Sequence, residues 1–306
     1  MYTINNVLIT IDFTTMDSSL VNYVFEFSKI VQFKKAVLTN VVSATTNLDE
    51  EVPNPQGEGT ITKREEIIYK LENLAAKYKP ADEHIEIVYR VKSGDPLTEI
   101  LEVAKNQDID MIVVGRKTIA EGSGALSRKL ARKALCSVLT LTQNALPQFH
   151  KVLIPVDFSE FSYTALEKAV KLARKTPLEI VCIHIYNLPN GYLASGKSPE
   201  EFAKIVKKNN EKRFKHFIKD LDISGINLKM KYQLDTRNAR AKIIFNIGLV
   251  EHVDMIMMGS KGKSKLAQAF LGSTTEKILL HNISIPTLVL KQKEINVGLI
   301  NSLLNM

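Results

Sequence analysis

The sequence predicts an α/β protein built as two tandem parallel-sheet domains with helices on both faces. Three observations predict it. The 306 residues are about twice the usual domain length, and 45% of them are apolar, enough for two cores. Two motifs recur at nearly one spacing: "VLITIDFT" (7–14) returns as "VLIPVDFS" (152–159), offset by 145, and "DMIVVGRK" (110–117) returns as "DMIMMGSK" (254–261), offset by 144. Within each repeat, short β-branched runs alternate with helical periodicity, the pattern of successive βα units.

The elements follow in order. "VLITI", "AVLTNVV", "IEIVYRV", "MIVVG" and "SVLTL" are almost continuously apolar, as strands buried on both faces should be. Between them lie helical stretches: "SLVNYVFEFSKIV", then "TKREEIIYKLENLAAKY" with Thr62 and Glu65 placed for a capping box, then "LTEILEVAKNQ". The second repeat gives "SYTALEKAVKLARK", a helix opened by Ser198, Pro199 and Glu201, and "NARAKIIFNIGLVE". The loops after each second strand, "SATTNLDEEVPNPQGEGT" and "NLPNGYLASGKSP", are read as tolerated insertions, with lids as the alternative. The polar, Pro-containing "TQNALPQFHK" (142–151) suits a linker. The expected domains are therefore 1–144 and 150–291, followed by a tail over 292–306. Ile295, Leu299, Ile300, Leu303 and Leu304 in that tail suit either an amphipathic helix covering a core or an oligomer contact.

Charge and cysteine content bound the function. Residues 1–147 carry a net −2 and the remainder +10, much of it in "KIVKKNNEKRFKHFIK" (204–219). There Ile205, Val206, Phe214, Phe217 and Ile218 recur at helical spacing, so the charges read as a solvated helix face, with an anionic partner as the alternative and nucleic acid not favoured. Cys136 and Cys182 sit in no CxxC or metal-ligand spacing, which fits a reducing cytoplasm. No leader pattern opens the chain, and no apolar run reaches the roughly 18 residues of a membrane span. The expectation is a cytoplasmic protein with no membrane partner.

The chemistry concentrates in "MMGSKGKSKLAQAFLGSTTEKIL" (257–279), between a buried strand and a helix. Gly259, Gly262 and Gly272 allow the backbone close to a ligand. Ser273 is placed to cap the helix with Glu276 closing a capping box, and the free amides and dipole of that helix end suit a phosphate.

The spacing G-x2-G-x9-G-[ST] over residues 259–273 resembles the ATP-binding signature of the universal stress proteins. The resemblance continues in "KVLIPVDFSEFSYTALEKAVKLA" and "IVCIHIYN", covers nearly all of 150–291 and extends more loosely over 4–142. It implies a Rossmann-like, doubly wound, five-stranded parallel sheet of order 3-2-1-4-5 in each domain, and dimerisation through strand five, as a homodimer or an intrachain pseudo-dimer. It also implies ATP, with Mg or Mn, as the bound ligand. By position, Pro155, Val156 and Asp157 would face the adenosine and the backbone of Ile185 the adenine. Met258 and Gly259 would lie under ribose and phosphates, with Gly262, Gly272, Ser273 and Thr274 around the triphosphate. Read from the residues alone, Asp157 is equally a helix-capping aspartate, His184 a packed core histidine, and Lys261, Lys263 and Lys265 solvated loop lysines within reach of phosphates.

The first repeat departs from the signature. Thr118 stands for Gly262, Ala125 stands for Ser273, and Gly115 to Gly124 spans 9 positions against 13 from Gly259 to Gly272. It reads as a degenerate partner, leaving ATP to the second domain. No catalytic triad, metal-ligand spacing or G-x4-G-K-[ST] loop is present, so the expected role is a nucleotide-dependent regulatory or interaction module in stress response. The alternatives are a scaffold of the same fold and a slow ATPase.

Overall fold

The computed structural model describes residues 4–80, 84–116, 124–189, 191–192, 196–261 and 271–291. The chain divides into two compact units, Met1–Pro147 and Gln148–Leu290, the first also taking in Lys291; the tail over 292–306 lies outside the described residues.

In the first unit the strands are β1 (Asn6–Ile11), β2 (Lys35–Val42), β5 (Glu86–Ser93), β6 (Met111–Arg116) and β7 (Ser137–Thr142). They form a parallel sheet in the order β7-β6-β1-β2-β5. Its helices are α1 (Met16–Val31), α2 (Lys63–Ala76), α3 (Pro96–Asn106) and α4 (Ala125–Lys133). The insertion after β2, expected as a tolerated loop or a lid, holds a small antiparallel hairpin of β3 (Glu51–Pro53) and β4 (Thr60–Thr62).

The second unit repeats the plan. Strands β8 (Lys151–Pro155), β9 (Glu179–Tyr186), β10 (Leu228–Leu234), β11 (Met255–Gly259) and β12 (Thr287–Leu290) run parallel in the order β12-β11-β8-β9-β10. The helices are α5 (Glu160–Ala173), α6 (Pro199–Phe217), α7 (Arg240–Val250) and α8 (Ser273–His281). Counted within each sheet, both orders are 3-2-1-4-5, the doubly wound arrangement whose strand order reverses between the first and fourth strands.

Local chemistry places these elements. The predicted capping box forms at Thr62/Glu65, the helix start expected at Ser198 carries a second box with Glu201, and Asp95 caps α3 through Thr98 N–H at 2.9 Å. The central strands are buried on both faces: Val7, Leu8 and Ile9, and again Leu153 and Ile154, lose all or nearly all solvent contact. α6 is the least buried helix of the second unit, with Phe214 its one buried side chain; Ile205, expected on the packed face, is 41% exposed.

The repeated aspartate before each fourth strand has a structural purpose. Asp110 Oδ2 accepts the backbone N–H groups of Asn5 and Asn6 at 2.9 and 3.0 Å, and Asp254 Oδ2 accepts those of His150 and Lys151 at 2.7 and 2.8 Å. Each carboxylate clamps the start of its unit's first strand to the start of the fourth. Among the described residues, no helix is long and apolar enough to cross a membrane.

Candidate functional site

At the carboxyl edge of the second sheet the strand order reverses between β8 and β11, where sheets of this kind leave a crevice, and Pro155, Val156, Met258 and Gly259 lie at or just past the ends of those two strands, with Ile185 on the neighbouring β9. Val156 continues the pairing of β8 by donating its N–H to Ile183 O at 2.8 Å. Residues two apart on a strand point their backbone groups to the same side. The N–H and C=O of Ile185 are therefore directed as those of Ile183 are, past the end of β8, while its side chain is packed in the core with Met258.

Asp157 does not cap α5. Ser159 does, through Ser162 N–H at 3.2 Å, and Asp157 Oδ1 braces that serine by accepting its N–H at 3.0 Å and its hydroxyl at 2.5 Å. Between them Phe158 adopts φ 62°, and its counterpart Phe13 adopts φ 57°. A left-handed backbone is an outlier for a bulky side chain and gathers at functional or over-determined positions. The Phe158 ring is held by His184 at 4.4 Å between centroids, by the edge of Phe217 at 5.5 Å, and by the Arg213 guanidinium 4.5 Å above it. His184 is a packed histidine with a satisfied ring: its Nδ1 lies 2.7 Å from Val156 O, to which an N–H there donates. Asn40 does the same in the first unit, donating to Ile11 O at 2.9 Å.

On the β11 side, Met258 and Gly259 are buried. The Gly259 Cα faces protein rather than an open crevice. A Cβ there would lie 2.6 Å from Phe161 Cβ and 2.9 Å from its backbone carbonyl carbon and oxygen. The close approach that requires this glycine is thus by α5. Ser260 O accepts Gly272 N–H at 2.8 Å, so the glycine-rich loop returns to its own start, and Thr275 Oγ1 donates to Gly259 O at 3.2 Å. Together these bonds hold the N-terminus of α8 over the end of β11.

That helix end differs from expectation in one detail. Its N-cap is Gly272 (φ −60°, ψ 140°), Ser273 is the first helical residue, and no side chain caps it, so the Ser273/Glu276 capping box does not form. The loop-closing bond fixes Gly272 as the extended residue and moves the serine one position inward. The first-turn amides, including those of the exposed Ser273 and the half-buried Thr274, have no intrahelical acceptors. Gly262, Lys263, Lys265 and, in the first repeat, Thr118 lie outside the described residues. In the first unit Gly124 (φ 60°) is the N-cap of α4, again without a side-chain cap. Among the described residues, no cluster of three or more His, Cys, Asp or Glu side chains could hold a metal ion.

A family model for the universal stress protein family matches residues 3–141 and again 148–291. The chain belongs to the universal stress protein family. A universal stress protein of Methanocaldococcus jannaschii is 28% identical over 158 residues, covering 47% of this chain and 96% of that protein. One of Mycobacterium tuberculosis is 22% identical over 270 residues, 83% of this chain and 86% of its own. The crystal structure of a universal stress protein from Archaeoglobus fulgidus matches the fold over 95% of this chain and 97% of that one, with a TM-score of 0.63 at 18% identity. This chain is thus a tandem universal stress protein.

The residues that sequence reasoning missed are those whose role is set across the fold. Phe158 and Thr275 brace the crevice, and the recurrence of Asp-Phe at 12–13 and 157–158 was the available signal for the first.

Proposed function

We propose that this universal stress protein binds one ATP per chain, at the crevice of the second unit, and works in the cytoplasm as a nucleotide-dependent regulatory or interaction module. The observation that carries the reading is the α8 N-terminus, which has no side-chain cap, tethered over β11 by Gly272 and Thr275. Its free amides and positive dipole end suit the phosphates, for which Ser273 and Thr274 supply N–H donors. The backbone of Ile185, directed past β8, suits an adenine edge, and Val156 and Asp157 stand on the adenosine side. Pro155, Met258 and Gly259 form the floor, and Gly262 and Gly272 frame the phosphate loop. A Mg or Mn ion would arrive with the nucleotide, held by phosphates and water, as Asp157 is the one acidic residue among these positions. Without a catalytic base or the lysine of a G-x4-G-K-[ST] loop, hydrolysis is slow. Assembly is through the fifth strands, as a homodimer or an intrachain pseudo-dimer.

A scaffold without nucleotide exchange is the second reading, favoured by the packing requirement that accounts for Gly259 without a ligand. Mass spectrometry of the denatured, purified protein separates the two, since the first expects a stoichiometric adenine nucleotide. Calorimetric titration then locates it: Gly262→Val should abolish ATP binding and Thr118→Val should leave it unchanged. Two equivalent sites, or a larger effect from Thr118→Val, would overturn the assignment.

A further inference from the structure

The equivalent crevice of the first unit is lined so as to suit a different ligand. Beside the β1/β6 reversal lies a cavity of about 140 Å³. A cavity of about 150 Å³ holds one benzene-sized molecule, whereas sites for larger ligands run to roughly 300–1,000 Å³. Much of its wall is apolar, with Leu20, Val41, Ile100, Val114 and Leu126 facing in. Two polar side chains sit among them with unmet atoms. Asp17, in the first turn of α1, is 4% exposed; its Oδ1 lies 3.5 Å from the Asp12 N–H, and its buried Oδ2 has no hydrogen-bond partner. Thr39, on β2, is 1% exposed, and its Oγ1 has none either.

The sister unit settles the same two positions. Ser162 replaces Asp17 and donates to Ser159 O at 3.0 Å, and Ile183, which pairs with Pro155 as Thr39 pairs with Thr10, is apolar. Polarity has therefore been placed in the first cavity, not inherited from the shared plan. Among the described residues, the one other charged lining residue is Asp12, exposed at the mouth, which accepts the Thr14 hydroxyl at 2.7 Å. The lining contributed by α3, α4 and β6 is Pro96, Ile100, Leu126, Val114 and Gly115, none of them charged.

We propose that this cavity is a binding site for a small organic cation, a primary ammonium on an apolar body of about five to eight heavy atoms, donating to Asp17 Oδ2 and Thr39 Oγ1. An ammonium offers three donors and no acceptor, matching two unmet acceptors in a negatively charged site. Among the described lining residues, a phosphate or carboxylate would meet two aspartates and no cation. A volume of about 140 Å³ suits a small ligand rather than a whole nucleotide.

The test uses the full chain and a matched series: isoamylamine, isoamyl alcohol and isovalerate, titrated by calorimetry and by saturation-transfer NMR. The amine should bind saturably, the alcohol more weakly, and the anion not at all, with ATP leaving the amine isotherm unchanged. Asp17→Asn should weaken the amine about ten- to a hundredfold, the value of a hydrogen bond to a charged group, while leaving the alcohol nearly unaffected. Thr39→Ile, which installs the sister unit's residue, should weaken it too and guards against misfolding of the first variant. No saturable amine binding, meaning a cavity that holds water only, would overturn the proposal. So would isovalerate binding as tightly as the amine, or an amine affinity indifferent to both substitutions.

Discussion

Gly259→Ala and Gly115→Ala make the same chemical change at equivalent positions of the two units, and the packing around them predicts opposite outcomes. In the second unit the new methyl would sit 2.6 Å from Phe161 Cβ and 2.9 Å from the Phe161 backbone. Backbone cannot swing aside, so the start of α5 must retreat from the sheet; overpacking of this kind costs about 1–3 kcal/mol. In the first unit the methyl would meet the ends of flexible chains, Leu20 Cδ1 and Met16 Cε, both at 3.2 Å. Those rotate away, and the loss of unfolded-state freedom returns about 0.4–1 kcal/mol, leaving the change near neutral. Hydrogen exchange followed by mass spectrometry reads each unit separately, and about 1.4 kcal/mol is a tenfold loss of protection where opening is global. Peptides from α5 and β11 should lose protection in Gly259→Ala, whereas those from α1 and β6 should keep it in Gly115→Ala. A neutral Gly259→Ala, or equal destabilisation by both, would refute the packing account of these glycines.

Asp17 supplies a pH-dependent counterpart. Burial first, and then the Asp12 carboxylate, raise it from 3.8 to about 6. The folded unit thus holds the proton more tightly than the unfolded chain, giving stability that is complete below pH 3.8 and lost as pH rises through about 6. Asp17→Asn should accordingly stabilise the first unit by up to about 3 kcal/mol at neutral pH and by almost nothing near pH 4, measured by urea unfolding across that range. Ser198→Ala removes the side-chain acceptor of the α6 capping box and should cost about 1 kcal/mol, seen as faster exchange in the first turn of α6. Asp254→Ala removes the acceptor of one exposed and one part-buried amide and should destabilise the second unit by about 1–3 kcal/mol, with Asp110→Ala doing so in the first unit alone. Domain-resolved exchange checks that separation.

Elements announced by neighbouring residues were legible in the sequence. The boxes at Thr62/Glu65 and Ser198/Glu201 need three residues of context, and the buried strands declare themselves by composition. What escaped depends on residues far apart in the chain. Ser273 has the composition of an N-cap, but the bond from Gly272 N–H to Ser260 O, across the whole loop, sets the helix start instead. Gly259 reads as a ligand-approach glycine until α5 is brought against it. Asp17 looks like an ordinary first-turn acid favoured by a helix dipole, and only tertiary packing buries it. The β3–β4 hairpin is three residues a side and contains Pro53, too short for periodicity to register.

The two aspartate clamps mark a seam. Strands β1 and β6, and likewise β8 and β11, are neighbours in space but about 100 residues apart along the chain, with β2 and β5, or β9 and β10, made between them. Such a pairing carries the largest loop-closure entropy of its unit and is expected to zip last, giving slow folding for chains of this topology. Asp110 and Asp254 fasten the seam at the amino edge, and the crevices open across it at the carboxyl edge. A molecule seated in either crevice would act as a second fastener, raising the cost of unzipping by RT ln(1 + [L]/Kd) without touching the rest of the core. Occupancy would then be reported as the lifetime of the closed unit as much as by any change of shape.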